Sequence, residues 1–230
     1  MKWTNKLEEM FRRKRDVENI VEPVKESAKP SIQPLPINFE LRALIVTDGH
    51  GCLEYDDVPI CDIHVCFLLG DLSLDDIAIV KEKVRNVPIY GVLGNHDSFE
   101  LYDRTGIENI HGKVVEVNGV RIAGMQGSLR YKDSYFPFYT DEESVEIAEQ
   151  LEAADILVSH DYPKNLHGSE DFAHSGLQGI TYYCEKYNLP LNIHGHYHDN
   201  GYFVLENGTR SIECYKSKIL EISPNGILII

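Results

Sequence analysis

At 230 residues, 43% apolar and 26% charged, the chain has the size and composition of an ordinary globular protein with a sizeable core. No apolar run reaches the roughly 18 residues of a membrane span and the start lacks the apolar block of a secretory signal, so a cytoplasmic protein with no membrane partner is expected. The net charge of −15 falls on one part of the chain: residues 1–38 carry eight Lys/Arg against six Asp/Glu and residues 39–230 carry 14 against 31, an acidic body that disfavours binding of extended nucleic acid.

Residues 1–22 show an apolar stripe (Trp3, Leu7, Met10, Phe11, Val17, Ile20, Val21) broken by the basic cluster Arg12-Arg13-Lys14-Arg15. That spacing predicts an amphipathic helix ended by Pro23. It is expected to lie as a solvated arm on the body, or to dock onto a partner or a second copy of the chain. Pro23, Pro30, Pro34 and Pro36 mark a stiff segment, which places a domain boundary near residue 38: an N-terminal helix and Pro-rich extension over 1–38, then a folded domain over 39–230.

From Leu41 the pattern is that of an alternating α/β domain. Apolar strands are expected over Leu41–Thr47, Ile63–Leu69 and Ile89–Leu93, with a helix over Leu74–Arg85. Continuous apolar strands separated by crossovers read as parallel strands covered on both faces. Asn118-Gly119 marks a hairpin between Lys113–Val117 and Val120–Met125, and Thr140-Asp141-Glu142-Glu143 is a capping box opening a helix to about Ala154. A strand over Asp155–Ser159 ends at His160, a polar loop covers 161–175, and a helix over Leu177–Tyr187 leads to a strand at Leu191–His194. The tail reads as four β segments between Tyr202 and Ile230. Five cysteines (Cys52, Cys61, Cys66, Cys184, Cys214) form an odd set with no Cys-x-x-Cys pair and are read as reduced thiols.

Polar, reactive side chains follow these strands: Asp48/His50, Asp71, Asn95/His96, His160 and His196/His198. The intervals from Asp48 to Asp71 and from Asp71 to Asn95 are 23 and 24 residues, one strand plus crossover each. Neighbouring strands lie ~4.8 Å apart, so such groups can converge on metal ions. Mixed oxygen and imidazole donors suit two divalent ions of the Mn, Fe, Zn, Co or Ni type, with Mn favoured, over the all-oxygen shells of Mg or Ca. Gly94-Asn95-His96-Asp97 alone has roughly one chance in a thousand of arising in a chain of this length, which makes coincidence a poor account of the set.

The series Asp48-Gly49-His50-Gly51, Gly70-Asp71, Gly94-Asn95-His96-Asp97, Ser159-His160 and Gly195-His196-Tyr197-His198 resembles the five motifs of calcineurin-like metallophosphoesterases over about residues 41–230. The resemblance implies an α/β fold, a four-layer αββα sandwich with two packed mixed β-sheets. It implies that Asp48, His50 and His198 hold one metal, that Asn95, His160 and His196 hold the other, and that Asp71 bridges them. It makes His96 a catalytic group facing the scissile phosphate; Asp97 is read from its place beside them as a residue that orients its neighbours. The implied activity is hydrolysis of a small or flexible phosphoester, as a phosphodiesterase or phosphatase, by a metal-activated hydroxide. Two other readings remain, a non-catalytic metal-containing binding or scaffold module and a nuclease.

The second motif departs from that of the protein phosphatases. Gly70-Asp71-Leu72-Ser73-Leu74-Asp75 lacks their arginine and displaces the acidic partner of the catalytic histidine by one position, to Asp75. Arg130-Tyr131 resembles an arginine-tyrosine pair of bacterial and phage-like members, so Arg130 is expected to bind substrate phosphate and Tyr131 to stack on a ring, unless both are surface residues above an aromatic cluster. His64, His111 and His194 are read as core or surface residues, and His167 and His174 as loop residues within reach of the site.

Overall fold

The computed structural model describes residues 32–59, 62–133, 135–168 and 172–230. The amphipathic helix read over residues 1–22 lies outside the described residues, as does Cys61. Residues 32–40 run without regular structure into the first strand, tied to the body where the Leu35 N–H donates to the Gly208 carbonyl at 2.8 Å.

The apolar runs form two six-stranded mixed sheets. In the first, β1 (Leu41–Thr47), β2 (Val65–Leu68), β3 (Ile89–Gly91) and β4 (Glu108–Asn109) are parallel neighbours. Antiparallel β13 (Lys216–Ser223) and β14 (Gly226–Ile229) extend it beyond β1. The second runs β11 (Gly201–Val204), β12 (Arg210–Glu213), β10 (Leu191–His194), β9 (Ile156–Ser159), β6 (Val120–Met125), β5 (Val114–Val117), with β12, β10, β9 and β6 parallel. A short pair, β7 (Ser128–Leu129) and β8 (Phe138–Tyr139), stands apart.

Side-chain alternation along β1 shows how the layers stack. Ala43 and Ile45 face the second sheet and join Phe67, Val92, Ile122, Ile156, Val158 and Ile193 in the central core. Leu44 and Val46 face the other way, onto Ile77 and Val80 of α1 (Leu74–Lys83) and Leu101 and Tyr102 of α2 (Leu101–Thr105). The outer face of the second sheet packs Ala123 and Leu157 against Ala148 of α3 (Asp141–Gln150) and Ile180 and Tyr183 of α4 (Gln178–Tyr187). The molecule is therefore the expected αββα sandwich, with its parallel strands buried on both faces. Among the described residues no helix is long and apolar enough to cross a membrane.

Local chemistry sets the turns. Asn118 and Gly119 both take positive φ, 52° and 80°, as the hairpin between β5 and β6 requires. Thr140 caps α3 through a reciprocal box with Glu143, and Ser73 does the same for α1 with Asp76. The strand expected to reach Leu93 ends at Gly91, and the helix expected to reach Ala154 ends at Gln150, because Leu151 turns to extended backbone. The first four strands of the parallel layer end on the same side of the molecule as β9 and β10, and the polar motifs follow those ends.

Candidate metal centre

Asp48 follows β1, Asp71 follows β2, Asn95 follows β3, His160 follows β9, and His196 and His198 follow β10, where α/β sheets gather their ligands. Five of these groups sit in left-handed backbone: Asp48 (φ 52°), His50 (47°), Asp71 (54°), His196 (74°) and His198 (60°). That conformation costs a non-glycine residue roughly 1–2 kcal/mol, so the fold holds side chains here at the expense of backbone comfort. Glycine is needed at two nearby positions for space. A Cβ at Gly94 would overlap the Asp71 carboxylate, and one at Gly195 would overlap the Thr47 hydroxyl and crowd Asp48.

The side chains meet in two overlapping groups. His50 Nε2 lies 3.2 Å from His198 Nε2 and 3.8 Å from Asp71 Oδ2, while His198 Nε2 lies 3.4 Å from Asp48 Oδ1. His160 Nε2 lies 2.9 Å from Asn95 Oδ1, 3.2 Å from His196 Nδ1 and 3.6 Å from Asp71 Oδ2. Asp71 Oδ2 thus faces both groups. Its other oxygen accepts the His96 N–H at 2.8 Å.

This donor set fits divalent cations. Two ligands each ~2.1 Å from one ion lie roughly 3.0–3.4 Å apart, close to the separations found. His160 Nδ1 is 2.7 Å from the Leu69 carbonyl, which accepts its proton, so that in the neutral ring Nε2 is the nitrogen free to take a cation on the side of the Asn95 amide oxygen. Asp48 Oδ1 is buried without a hydrogen-bond partner, whereas Oδ2 accepts from the Thr47 hydroxyl at 2.7 Å and the His196 N–H at 3.0 Å.

The electrostatics hold Asp48 ionised and His196 neutral, the forms that bind a cation, and favour the protonated form of His160. Burial works to raise the Asp48 carboxyl, but contacts with His198, His160, Thr47 and His196 outweigh it and hold its pKa at about 2. Burial depresses His160 and the charges of Asp71 and Asp48 overcome that, raising it, while burial drives His196 well below its ordinary value. Asp97 is pushed up to about 6 by burial and by the charge of Asp71. Its carboxylate accepts the N–H groups of Gly94 and Asp71 at 2.8 Å and of Leu72 at 3.1 Å, so it shapes the loops that carry the candidate ligands Asp71 and Asn95.

His96 reaches the site without entering either group. Its side chain is 54% exposed, with Nε2 4.0 Å from Asp71 Oδ2. Asp75 is exposed, and among the described residues no hydrogen bond or ion pair joins it to His96. The neighbouring Asp76 is the buried acid instead, accepting from the N–H groups of Gly51 at 2.7 Å, Leu53 at 3.0 Å and Ser73 at 2.8 Å and so bracing the loop that carries His50. Sequence reading missed it because it doubles as an ordinary helix cap.

Arg130 is placed with Glu143, which takes both guanidinium nitrogens at 3.2 and 2.8 Å, and with the Phe138 carbonyl at 2.9 Å. Tyr131 is partly exposed and packs edge-on against Phe138, ring centres 5.2 Å apart. His194 is buried against the Ser211 hydroxyl at 2.9 Å, His64 accepts the Arg42 N–H at 3.1 Å, and His111 joins Tyr139 and the Gln126 N–H. The loop after β9 brings His174 against His196, ring centres 6.0 Å apart, and His167 against Tyr197. Cys66, Cys184 and Cys214 are buried and Cys52 is exposed.

No family model matches the sequence. A protein of Haemophilus influenzae described as uncharacterized is 26% identical over 202 residues, covering 68% of this chain and 83% of that protein. Phosphopantetheinyl hydrolase from Mycobacterium tuberculosis superposes with a TM-score of 0.54 at 14% identity, covering 77% of this chain and 90% of that one. A 5′-nucleotidase from Candida albicans gives a TM-score of 0.55 at 12% identity over 85% of this chain, which spans only 50% of the nucleotidase. At such identities the likeness is one of fold: this chain has the two-sheet sandwich of those enzymes, the fold that the resemblance of its sequence motifs implies.

Proposed function

We propose that the chain is a metal-dependent phosphoesterase that hydrolyses a small or flexible phosphomonoester or phosphodiester. Asp48, His50 and His198 would hold one divalent cation and Asn95, His160 and His196 a second, with Asp71 between them. The supporting observation is the convergence of seven donors from five strand ends, five of them in left-handed backbone. When bound, the cations supply Lewis-acid polarisation of phosphoryl oxygens and water activated at neutral pH. Manganese, iron, zinc, cobalt and nickel suit these donors.

The chain's own groups do the rest. The His96 N–H holds one Asp71 oxygen, which keeps the other directed into the centre. Thr47 and the His196 N–H occupy one Asp48 oxygen and leave its partner bare. The His96 imidazole, beside Asp71 and open to solvent, is in position to meet the scissile phosphate, stabilise its developing charge and protonate the leaving oxygen. Arg130 would bind a substrate oxygen by exchanging Glu143 for it, with Tyr131 beside it as a stacking surface. The names hydrolase and nucleotidase among proteins of this fold accord with the reading.

Metal analysis of the purified protein, followed by assay of p-nitrophenyl phosphate and its bis-ester with added Mn²⁺, tests this. Turnover of at least one ester that is lost with chelator is the expected result. Inactivity on both at full metal occupancy would overturn the enzyme in favour of a metal-holding binding module.

A further inference from the structure

The second-sheet half of the centre is backed by a buried hydrogen-bonded pair that the chemistry above does not use. His167, in the loop after β9, places Nε2 2.9 Å from Oε1 of Glu213, the last residue of β12. The two side chains are only 11% and 2% exposed. A carboxylate this buried needs a partner, and His167 supplies it. Glu213 stands opposite His194 in the register of β10 and β12, two positions ahead of His196.

The His167 ring has a second contact. It lies flat on Tyr197, ring centres 3.8 Å and planes 7° apart, with Tyr162 edge-on at 4.7 Å and Phe203 at 5.2 Å. Tyr197 is the residue between His196 and His198, whose imidazoles meet His160 and Asp48. A ring held flat at the middle position of this tripeptide limits the backbone on both sides of it, and both flanking residues are in the left-handed region.

We propose that Glu213, His167 and Tyr197 form a brace that ties the loop carrying His160 to the loop carrying His196 and His198, and thereby sets the affinity of the centre for its divalent cations. The proposal rests on the metal reading given above. All three are positioning residues: Glu213 fixes the edge of the His167 ring, the face of that ring fixes Tyr197, and Tyr197 fixes the torsions of the two imidazole-bearing residues. Partners that orient ligands in this way typically change metal affinity by about 10–100-fold when removed.

Calorimetric titration of the full chain, stripped with chelator and then given Mn²⁺, tests it. Tyr197→Leu leaves the buried pair intact, and His167→Gln keeps a hydrogen-bonding side chain for Glu213. Each is expected to weaken Mn²⁺ binding by about 10–100-fold while circular dichroism and the metal-free melting temperature stay near those of the unmodified chain. Tyr197→Phe keeps the ring and should bind as the unmodified chain does, and the two weakening substitutions combined should be no worse than either alone, since they remove one contact. Unaltered affinity in folded Tyr197→Leu and His167→Gln, or equal weakening by Tyr197→Phe, overturns the brace. An unmodified chain that takes up none of Mn²⁺, Fe²⁺, Zn²⁺, Co²⁺ and Ni²⁺ overturns the metal reading itself and the brace with it, so the two failures are distinct.

Discussion

The two sheets hold their halves of the centre by different means. On the first, the loops bearing Asp48, His50, Asp71 and Asn95 are fixed by buried carboxylates accepting backbone N–H groups: Asp97 takes three and Asp76 takes three. On the second, one buried carboxylate, Asp161, accepts the N–H groups of Leu129 at 3.1 Å and Tyr162 at 2.8 Å, and the loops bearing His160, His196 and His198 are otherwise packed among rings, chiefly Tyr162, His167 and Tyr197. Hydrogen bonds to backbone are directional and costly to orphan, while ring packing spreads its contribution over many weak contacts. One half should therefore fail abruptly when altered, and the other by degrees.

Substitutions can break or sharpen that contrast. The largest effect is expected at His96, carried by the first-sheet half but outside its ligand groups: His96→Ala should keep its metals and lose about 10²–10⁴-fold in kcat, read by steady-state kinetics alongside metal analysis. Undiminished kcat at full occupancy would remove His96 from the chemistry. Next comes Asp97→Ala, which strands three N–H groups in the interior and should cost about 3 kcal/mol or more in urea unfolding. A cost under about 1 kcal/mol would mean that the first-sheet loops are not held by Asp97.

The second-sheet counterpart is milder. Tyr162→Phe removes the hydroxyl that donates to the His174 carbonyl at 2.7 Å but keeps the ring, so about 1 kcal/mol is expected in the same measurement. If it matched Asp97→Ala, the distinction between the halves would collapse. The smallest effect is expected at the rim: Arg130→Ala should raise KM for a phosphoester several-fold with kcat little changed. Identical kinetics would leave Arg130 as a partner of Glu143 and nothing more.

What the sequence disclosed follows the same division. The sandwich was legible because its inner strands β1, β2, β9 and β10 are mostly apolar runs of four to seven residues buried on both faces, and Asp48, Asp71, His160, His196 and His198 could be located because each comes within a few residues of the end of such a run, while Asn95 follows the shorter, half-buried β3. The bracing was not legible. Asp76 carries no mark that its carboxylate serves a loop 25 residues upstream, and His167 finds Glu213 across 46 residues, separations at which periodicity is silent. Asp75 was the natural sequence candidate for partnering His96, yet it sits on the exposed side of the first turn of α1, while Asp76 points inward. The elements overlooked, α2 with five residues and β4, β7 and β8 with two each, are shorter than the windows over which a repeat can be recognised.

If the proposed centre is catalytic, the left-handed backbone at five of the candidate ligands sets its turnover and the chain's thermal endurance against each other. Glycine adopts such torsions at no steric cost, so at an exposed position such as His198 a change to glycine would relieve the backbone by roughly 1 kcal/mol while deleting a ligand. Directed evolution for heat resistance alone would thus be drawn toward dismantling the centre, and selection for turnover is what would keep aspartate and histidine in places where the chain itself would prefer glycine.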